Sequence, residues 1–221
     1  MKTKRIIVAV LTAAMVIGVS LQPISANTLT TEGYPKDAII IQRDAPTMLT
    51  NEQILELIAL APDTTETRSR TTLADRRITE SELLAWIEEY WELGGVNAFE
   101  LEVVKLINIE RENHNLNPLA INPNLVLAAR FHSQQMTDLR FFSHRSPHHG
   151  RGIYRATMFG HENIQEHVWG VQENIGGGGR TPQELVQSWM NSPAHRAAIL
   201  GESFLTVGVG TIHTTTAKFG A

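Results

Sequence analysis

The chain has 221 residues, 42% hydrophobic and 19% charged, with a formal net charge of −4 and no cysteine. That balance suits a globular protein with one sizeable core; it excludes a disulfide framework, a thiol nucleophile and a thiolate metal site. Residues 27–97 carry six Lys and Arg against thirteen Asp and Glu, and residues 98–221 carry ten of each, so neither half has the basic density of a nucleic-acid-binding surface.

Lys2, Lys4 and Arg5 precede an uncharged run from Ile6 to Leu21, then Pro23 and the small-residue end Ser25-Ala26. The run is shorter than the roughly 20 residues that span a bilayer. Residues 1–26 are therefore read as a cleaved secretory signal rather than a retained anchor. No Cys follows, which excludes lipid attachment at a processed Cys, and no later stretch is long enough to cross a membrane. A thiol-free exported chain points to a bacterial secreted, extracellular protein.

Residues 27–78 read as an acidic, loosely ordered segment. The polar, Thr-rich stretch 61–77 has too little apolar surface to order itself, and the segment contains one short expected helix at 51–60. A leading helix follows over 79–97: Thr79 and Glu82 form a capping-box pattern. Leu83, Trp86, Ile87, Tyr90 and Trp91 recur at helical spacing, and Gly94-Gly95 ends it. Its aromatics are expected to pack on the domain behind. Asn97 with Glu100 starts a second helix, whose buried stripe includes Leu101, Val104 and Ile107. Asn122-Pro123 starts a third, running to about Leu139. Its apolar face carries Leu125, Ala128, Ala129, Met136 and also His132, which reads as a core histidine.

Residues 140–180 are loop-rich, with a short helical piece near 151–159. Thr181-Pro182 begins a helix to about Met190, and Ser192-Pro193 begins a short turn ending near Gly201. Residues 205–214 alternate Thr, Val and Gly like a strand.

All nine histidines lie between His114 and His213, so any chemistry is expected in the second half. Three fall in the loop around 138–152. Of these His144 is the candidate; His148 and His149 read as solvated loop residues, with the alternative that one of them joins a metal. In the stretch 161–167 the two histidines are six residues apart, where one helix face needs four, so His161 and His167 read as surface residues and not a zinc-protease pair. There is no G-x-S-x-G pattern, and Ser143 merely adjoins His144. The glycine run at 176–179 reads as a flexible connection in preference to an anion seat.

Taken in order, the stretch from Phe99 to Met136, then FFSH at 141–144, ENI at 173–175, the helix around Trp189 with SPAHR at 192–196, and VGVG at 207–210 resemble the bacterial branch of the CAP superfamily. That superfamily includes cysteine-rich secretory proteins, antigen 5 and plant pathogenesis-related proteins. The resemblance covers about residues 98–212 and implies an α+β fold for 98–221: a three-layer α/β/α sandwich around a small, mostly antiparallel sheet, with a cleft on one side. It implies that His144, Glu173 and His195 line that cleft and can hold zinc or another divalent metal. His132, Ser143, Asn174, Ser192 and Arg196 are the supporting positions. It departs from the family in three ways. Ser192 stands where many members have Glu, Ala198 replaces the usual Asn, and the closing strand is not recognisable in the last residues, which leaves that strand cut short.

Three functions follow as expectations. The first is a secreted module binding a small apolar, lipid or wall-derived ligand. The second is a zinc-assisted extracellular hydrolase using His144, His195 and Glu173. The third is a structural or interaction module associated with the cell surface or wall. Neutral imidazoles are what ligation or base chemistry would need, and the positive end of the short helix opening at Pro193 favours that state in His195.

Overall fold

The structure is a computed structural model and describes residues 46–61, 71–161, 170–177, 180–212 and 214–220. The signal segment, the rest of 27–45 and 62–70, Gly178, Gly179, His167 and His213 lie outside these, as do the expectations that fall on them.

The described elements run α1 (Asn51–Leu60), α2 (Glu80–Glu92), α3 (Ala98–Asn113), β1 (Ala120–Ile121), α4 (Pro123–Asp138), α5 (Gly152–Met158), β2 (Val171–Gly176), α6 (Pro182–Met190), α7 (Pro193–Ile199), β3 (Thr206–Thr211) and β4 (Thr215–Gly220). Four helix starts carry full capping boxes, at Thr50, Thr79, Asn97 and Thr181, each closing its free N–H groups with the side chain three residues on. Asn122 caps α4, with Pro123 in its first turn.

The sheet order is β1-β3-β4-β2, parallel between β1 and β3 and antiparallel elsewhere. Because side chains alternate across a strand, the register assigns each residue a layer. Gly208 and Gly210 face α4, where a Cβ would stand 2.2 Å from the Leu125 and Val126 backbone and 2.0 Å from the Arg130 nitrogen. Helix α4 therefore lies directly on β3, and only glycine permits that approach. Thr216 and Lys218 of β4 and Glu173 of β2 share this face. Val207, Val209, Ala217 and Phe219 face the other way and are fully buried on the side where α3, α6 and α7 pack. Helices α4 and α5, the sheet, and α3 with α6 and α7 make the three-layer sandwich. Trp86 of α2 packs edge-on against Phe131 of α4, so the leading helix joins the α4 layer as expected.

Two expectations change. The short helix expected at 51–60 forms as α1, but the segment around it and residues 71–78, read as loosely ordered, join the core through Leu49, Ile54, Leu57 and Leu73. The capping box at Thr50 starts a helix whose Ile54 and Leu57 pack on α3. The 71–78 stretch then orders through polar ties: Leu73 N–H donates to Asp138 and the Gln134 amide donates to the Thr71 carbonyl. Local composition missed this packing, because the partners come from α3 and α4. The closing strand also forms. Six residues of β4 pair with β3 on one side and β2 on the other, which makes it a central strand.

Candidate functional site

Glu173 is the centre of the site. It sits inside β2, not before a turn as its position ahead of the glycine run suggests, and β2 is the edge strand beside β4. Directly across the ladder is Lys218. Its ammonium donates to Glu173 Oε2, and from α5 the Arg155 guanidinium donates to both Glu173 oxygens at 2.8 and 3.0 Å. Lys218 and Arg155 side chains are fully buried and the Glu173 side chain is 7% exposed. One buried carboxylate thus faces two buried cations. Burial alone would raise its pKa, but Lys218, the His144 hydrogen bond and Arg155 hold it well below the usual carboxylate range. Burial in turn pulls Lys218 down to about 8 against the hold of Glu173. A Cβ on Gly152 would come 3.1 Å from both Glu173 Oε2 and Lys218 Nζ, so the helix start at α5 leaves just enough space for this pair.

His144 reaches Glu173 from the loop after α4, with Nδ1 3.0 Å from Oε1. The carboxylate accepts, so Nδ1 carries the proton and Nε2 keeps its lone pair. The His144 side chain is 54% exposed, so the imidazole joins a buried charge at one nitrogen to solvent at the other. Its main-chain carbonyl accepts from Arg155 at 3.1 Å, which fixes the loop as well as the ring. His132 lies beneath, fully buried on α4; Nε2 donates to the Ser143 carbonyl at 3.0 Å and lies 3.8 Å from Glu173. Burial presses its pKa to about 3, Glu173 opposing, so it is a neutral spacer. This is the core role read for it, although its Nδ1 has no partner among the described residues. Ser143 contributes that carbonyl, and its hydroxyl accepts from the Arg145 amide.

His195 comes from α7, in the opposite layer. Asn174, fully buried on β2, donates to the His195 carbonyl at 3.0 Å and ties α7 to the strand that carries Glu173. Burial lowers the His195 pKa, and the neighbouring His144 lowers it further. Two supporting residues differ from expectation. Ser192 occupies the N-cap position of α7 but its side chain makes no cap bond. Arg196 points to His114 on α3 at 3.0 Å, one helical step away from His195, and takes no part in the site.

The donor set decides whether a divalent metal fits. Both oxygens of Glu173 are already engaged by Arg155 and Lys218, and the carboxylate stands behind His144 as its hydrogen-bond acceptor. Among the described residues no three His, Asp or Glu side chains gather closely enough to hold an ion. As joint ligands of one zinc, His144, Glu173 and His195 do not fit.

The other loop histidines have structural work. His149 is buried; Ile78 N–H donates to its Nε2 at 3.1 Å, and its Nδ1 lies 2.6 Å from the Gln135 side-chain amide. With Nε2 accepting, Nδ1 carries the proton, which assigns the Gln135 amide the flipped orientation, with the oxygen in place of the nitrogen that faces the ring. His148 meets Asp75 at 2.7 Å. Both were read as solvated; instead they fasten residues 71–78 to the loop that carries His144. His161, read as surface, is buried against Gly220 with Asn122 at 3.4 Å. A small pocket of about 70 Å³ lies by His149, between residues 71–78, Trp86 and Phe131, away from Glu173.

Sequence reasoning missed Arg155 and Lys218. Their only signal is a charge at a buried position of α5 and of β4, which becomes legible once the strand register is known.

The sequence profile of the Cysteine-rich secretory protein (CAP) family matches residues 104–219, just over half of the chain. The Bacillus subtilis protein YkwD is 43% identical over 115 residues, which are 52% of this chain and 43% of that protein. The Bacillus subtilis membrane protein YlbC is 30% identical over 111 residues, 50% of this chain and 31% of that protein. The chain thus spans less than half the length of either relative. Among solved structures, an extracellular protein containing an SCP domain from Bacillus anthracis aligns with TM-score 0.52 and 28% identity, over 65% of this chain and 44% of that one.

Proposed function

The chain belongs to the Cysteine-rich secretory protein (CAP) family, and on that premise we propose that it is an exported bacterial domain whose β2-edge site binds a small ligand derived from cell-surface lipid or wall. The observation that carries this reading is the His144 imidazole: more than half exposed, yet held in one orientation by a buried carboxylate whose charge is already matched. Such a group is preorganised to meet a ligand and contributes little to the core. Export is supported by the signal-like pattern at 1–26 and by the extracellular nature of the Bacillus anthracis relative. Among the described residues no helix is long and apolar enough to cross a membrane.

The test is ligand capture from lipid and cell-wall extracts followed by mass spectrometry, on the parent protein and on His144→Ala. A defined molecule retained by the parent and lost from a folded His144→Ala supports the reading. An empty parent protein after both extracts ends it. Metal analysis of the same samples is expected to find no stoichiometric zinc; one zinc per chain, lost in His144→Ala, would return the zinc-assisted hydrolase to first place.

A second reading rests on the same pair. A carboxylate that fixes the Nδ1 proton leaves Nε2 as a general base toward whatever binds. Turnover of a captured ligand that disappears in Glu173→Gln while binding remains would favour it.

A further inference from the structure

We propose that the ligand of the β2-edge site carries an oxyanion, a carboxylate or a phosphate, and that Arg145 and Arg151 form its subsite. The inference rests on the reading of that edge as a ligand site and adds the chemical class. The geometry begins with a bridge. Ser146 and Gly150 pair as an isolated antiparallel bridge, with Ser146 N–H donating to the Gly150 carbonyl at 2.8 Å. Arg145 and Arg151 are the next residues outward on the two arms, so the tight turn sets them opposite one another. Each also adjoins a residue that lies against Glu173. Arg145 follows His144, and Arg151 precedes Gly152, whose Cβ position abuts Glu173 and Lys218.

Both arginines are exposed, and neither guanidinium has an acidic partner among the described residues. From Leu139 to His161 the chain holds four arginines and four histidines and no Asp or Glu, although the protein as a whole has a net charge of −4. Behind this surface Glu173 cannot supply the missing negative charge, because Arg155 and Lys218 already exceed it. The Lys218 ammonium has three protons and only Glu173 as acceptor among the described residues. The described charges on this loop are of one sign, Asp75 against it is taken up by His148, and with a buried surplus of the same sign behind them they favour anions over cations. Two guanidinium forks carried at neighbouring backbone positions can match the oxygens of a carboxylate or phosphate. Two large apolar rings of the same segments, Phe142 and Tyr154, are 57% and 67% exposed. The Tyr154 ring lies over the turn so closely that a Cβ on Gly150 would be 2.9 Å from it. These rings offer apolar contact to the rest of an amphiphilic molecule.

The probes are octyl phosphate, octanol and inorganic phosphate, followed by backbone-amide NMR at low salt. Octyl phosphate is expected to shift His144, Arg145 and Arg151 and to bind at least tenfold more tightly than octanol. Its affinity falls as salt rises, and excess inorganic phosphate displaces it. The Arg145→Glu, Arg151→Glu double variant, checked for unchanged thermal unfolding, is expected to lose at least tenfold for octyl phosphate and nothing for octanol. Equal binding of octanol and octyl phosphate at His144 overturns the oxyanion subsite and leaves the ligand site standing. Octyl phosphate that moves Arg145 and Arg151 while His144 and His195 stay silent keeps the subsite and removes the ligand site. No response of any resonance overturns both.

Discussion

Among the described residues two carboxylates are buried beside an arginine, Glu100 and Glu173, and they differ in what surrounds them. Glu100 sits at the start of α3 and accepts from Arg130 at 2.7 Å, from the Thr211 amide at 2.7 Å and from the Asn97 amide at 3.0 Å. Arg130 in turn lies over the Tyr90 ring. One charge meets one charge, backbone donors fill the remaining lone pairs, and nothing in the cluster reaches solvent. It joins α3, α4 and the end of β3. Glu173 has two cations for one charge and a half-exposed imidazole leading outward. A balanced, closed cluster braces a fold; an unbalanced one with an exit is a place where something else can complete the balance.

Removing a cation should separate the two most sharply. Arg130→Met leaves Glu100 buried with no counter-charge and is expected to cost about 3–5 kcal/mol, read as a lowered midpoint in denaturant unfolding. Lys218→Met removes only the surplus charge and leaves Glu173 with Arg155 and His144. It is expected to be neutral or stabilising by up to about 2 kcal/mol. Equal, large losses in both variants would break the distinction between brace and site.

A second contrast appears in acid. His149 is buried as a neutral acceptor for the Ile78 amide, and burial holds its pKa near 4, below its ordinary 6.5, with Arg77, His148 and Arg155 adding to the shift. The unfolded chain therefore binds a proton in this window that the folded chain refuses. The stability is fully present above about 6.5 and is lost as pH falls toward 4. Glu173, held well below its ordinary 4.5, adds a loss only below that value. His149→Gln retains an acceptor for Ile78 and is expected to reduce the slope in the upper window, where buried His132 supplies the remainder, measured as thermal midpoints between pH 7 and pH 4. An unchanged slope in that variant would assign the acid sensitivity elsewhere, to His132 first.

What was legible in the sequence divides along physical lines. Helix starts were readable because capping is local: Thr79 with Glu82 and Asn97 with Glu100 lie within one turn of each other, and both boxes form. The family pattern led to His144 and Glu173, which do meet. Roles that depend on pairing across the sheet were not readable. Lys218 lies 45 residues from Glu173 and becomes its partner only through the β2–β4 register. The same limit explains the histidine loop. His144 and His149 are five residues apart in one polar stretch, and nothing local tells which will face solvent; Ile78, 71 residues earlier, decides it by donating to His149. β4 was obscure for a related reason: its residues are mostly small or polar, and their burial comes from two neighbouring strands.

The smallest expected effect is the most informative about the site. In His144→Ala the lost hydrogen bond is half solvent-exposed, and Glu173 keeps Arg155 and Lys218. By the usual worth of exposed ion pairs the stability change is expected to stay under about 1 kcal/mol, measured by denaturant unfolding at pH 7. A residue that Glu173 and the Arg155-bound loop hold so firmly, yet that adds so little to the fold, is held for another purpose. If His144→Ala instead unfolds the protein as readily as Arg130→Met, the imidazole is part of the brace, and the β2 edge loses the property that set it apart from the Glu100 cluster.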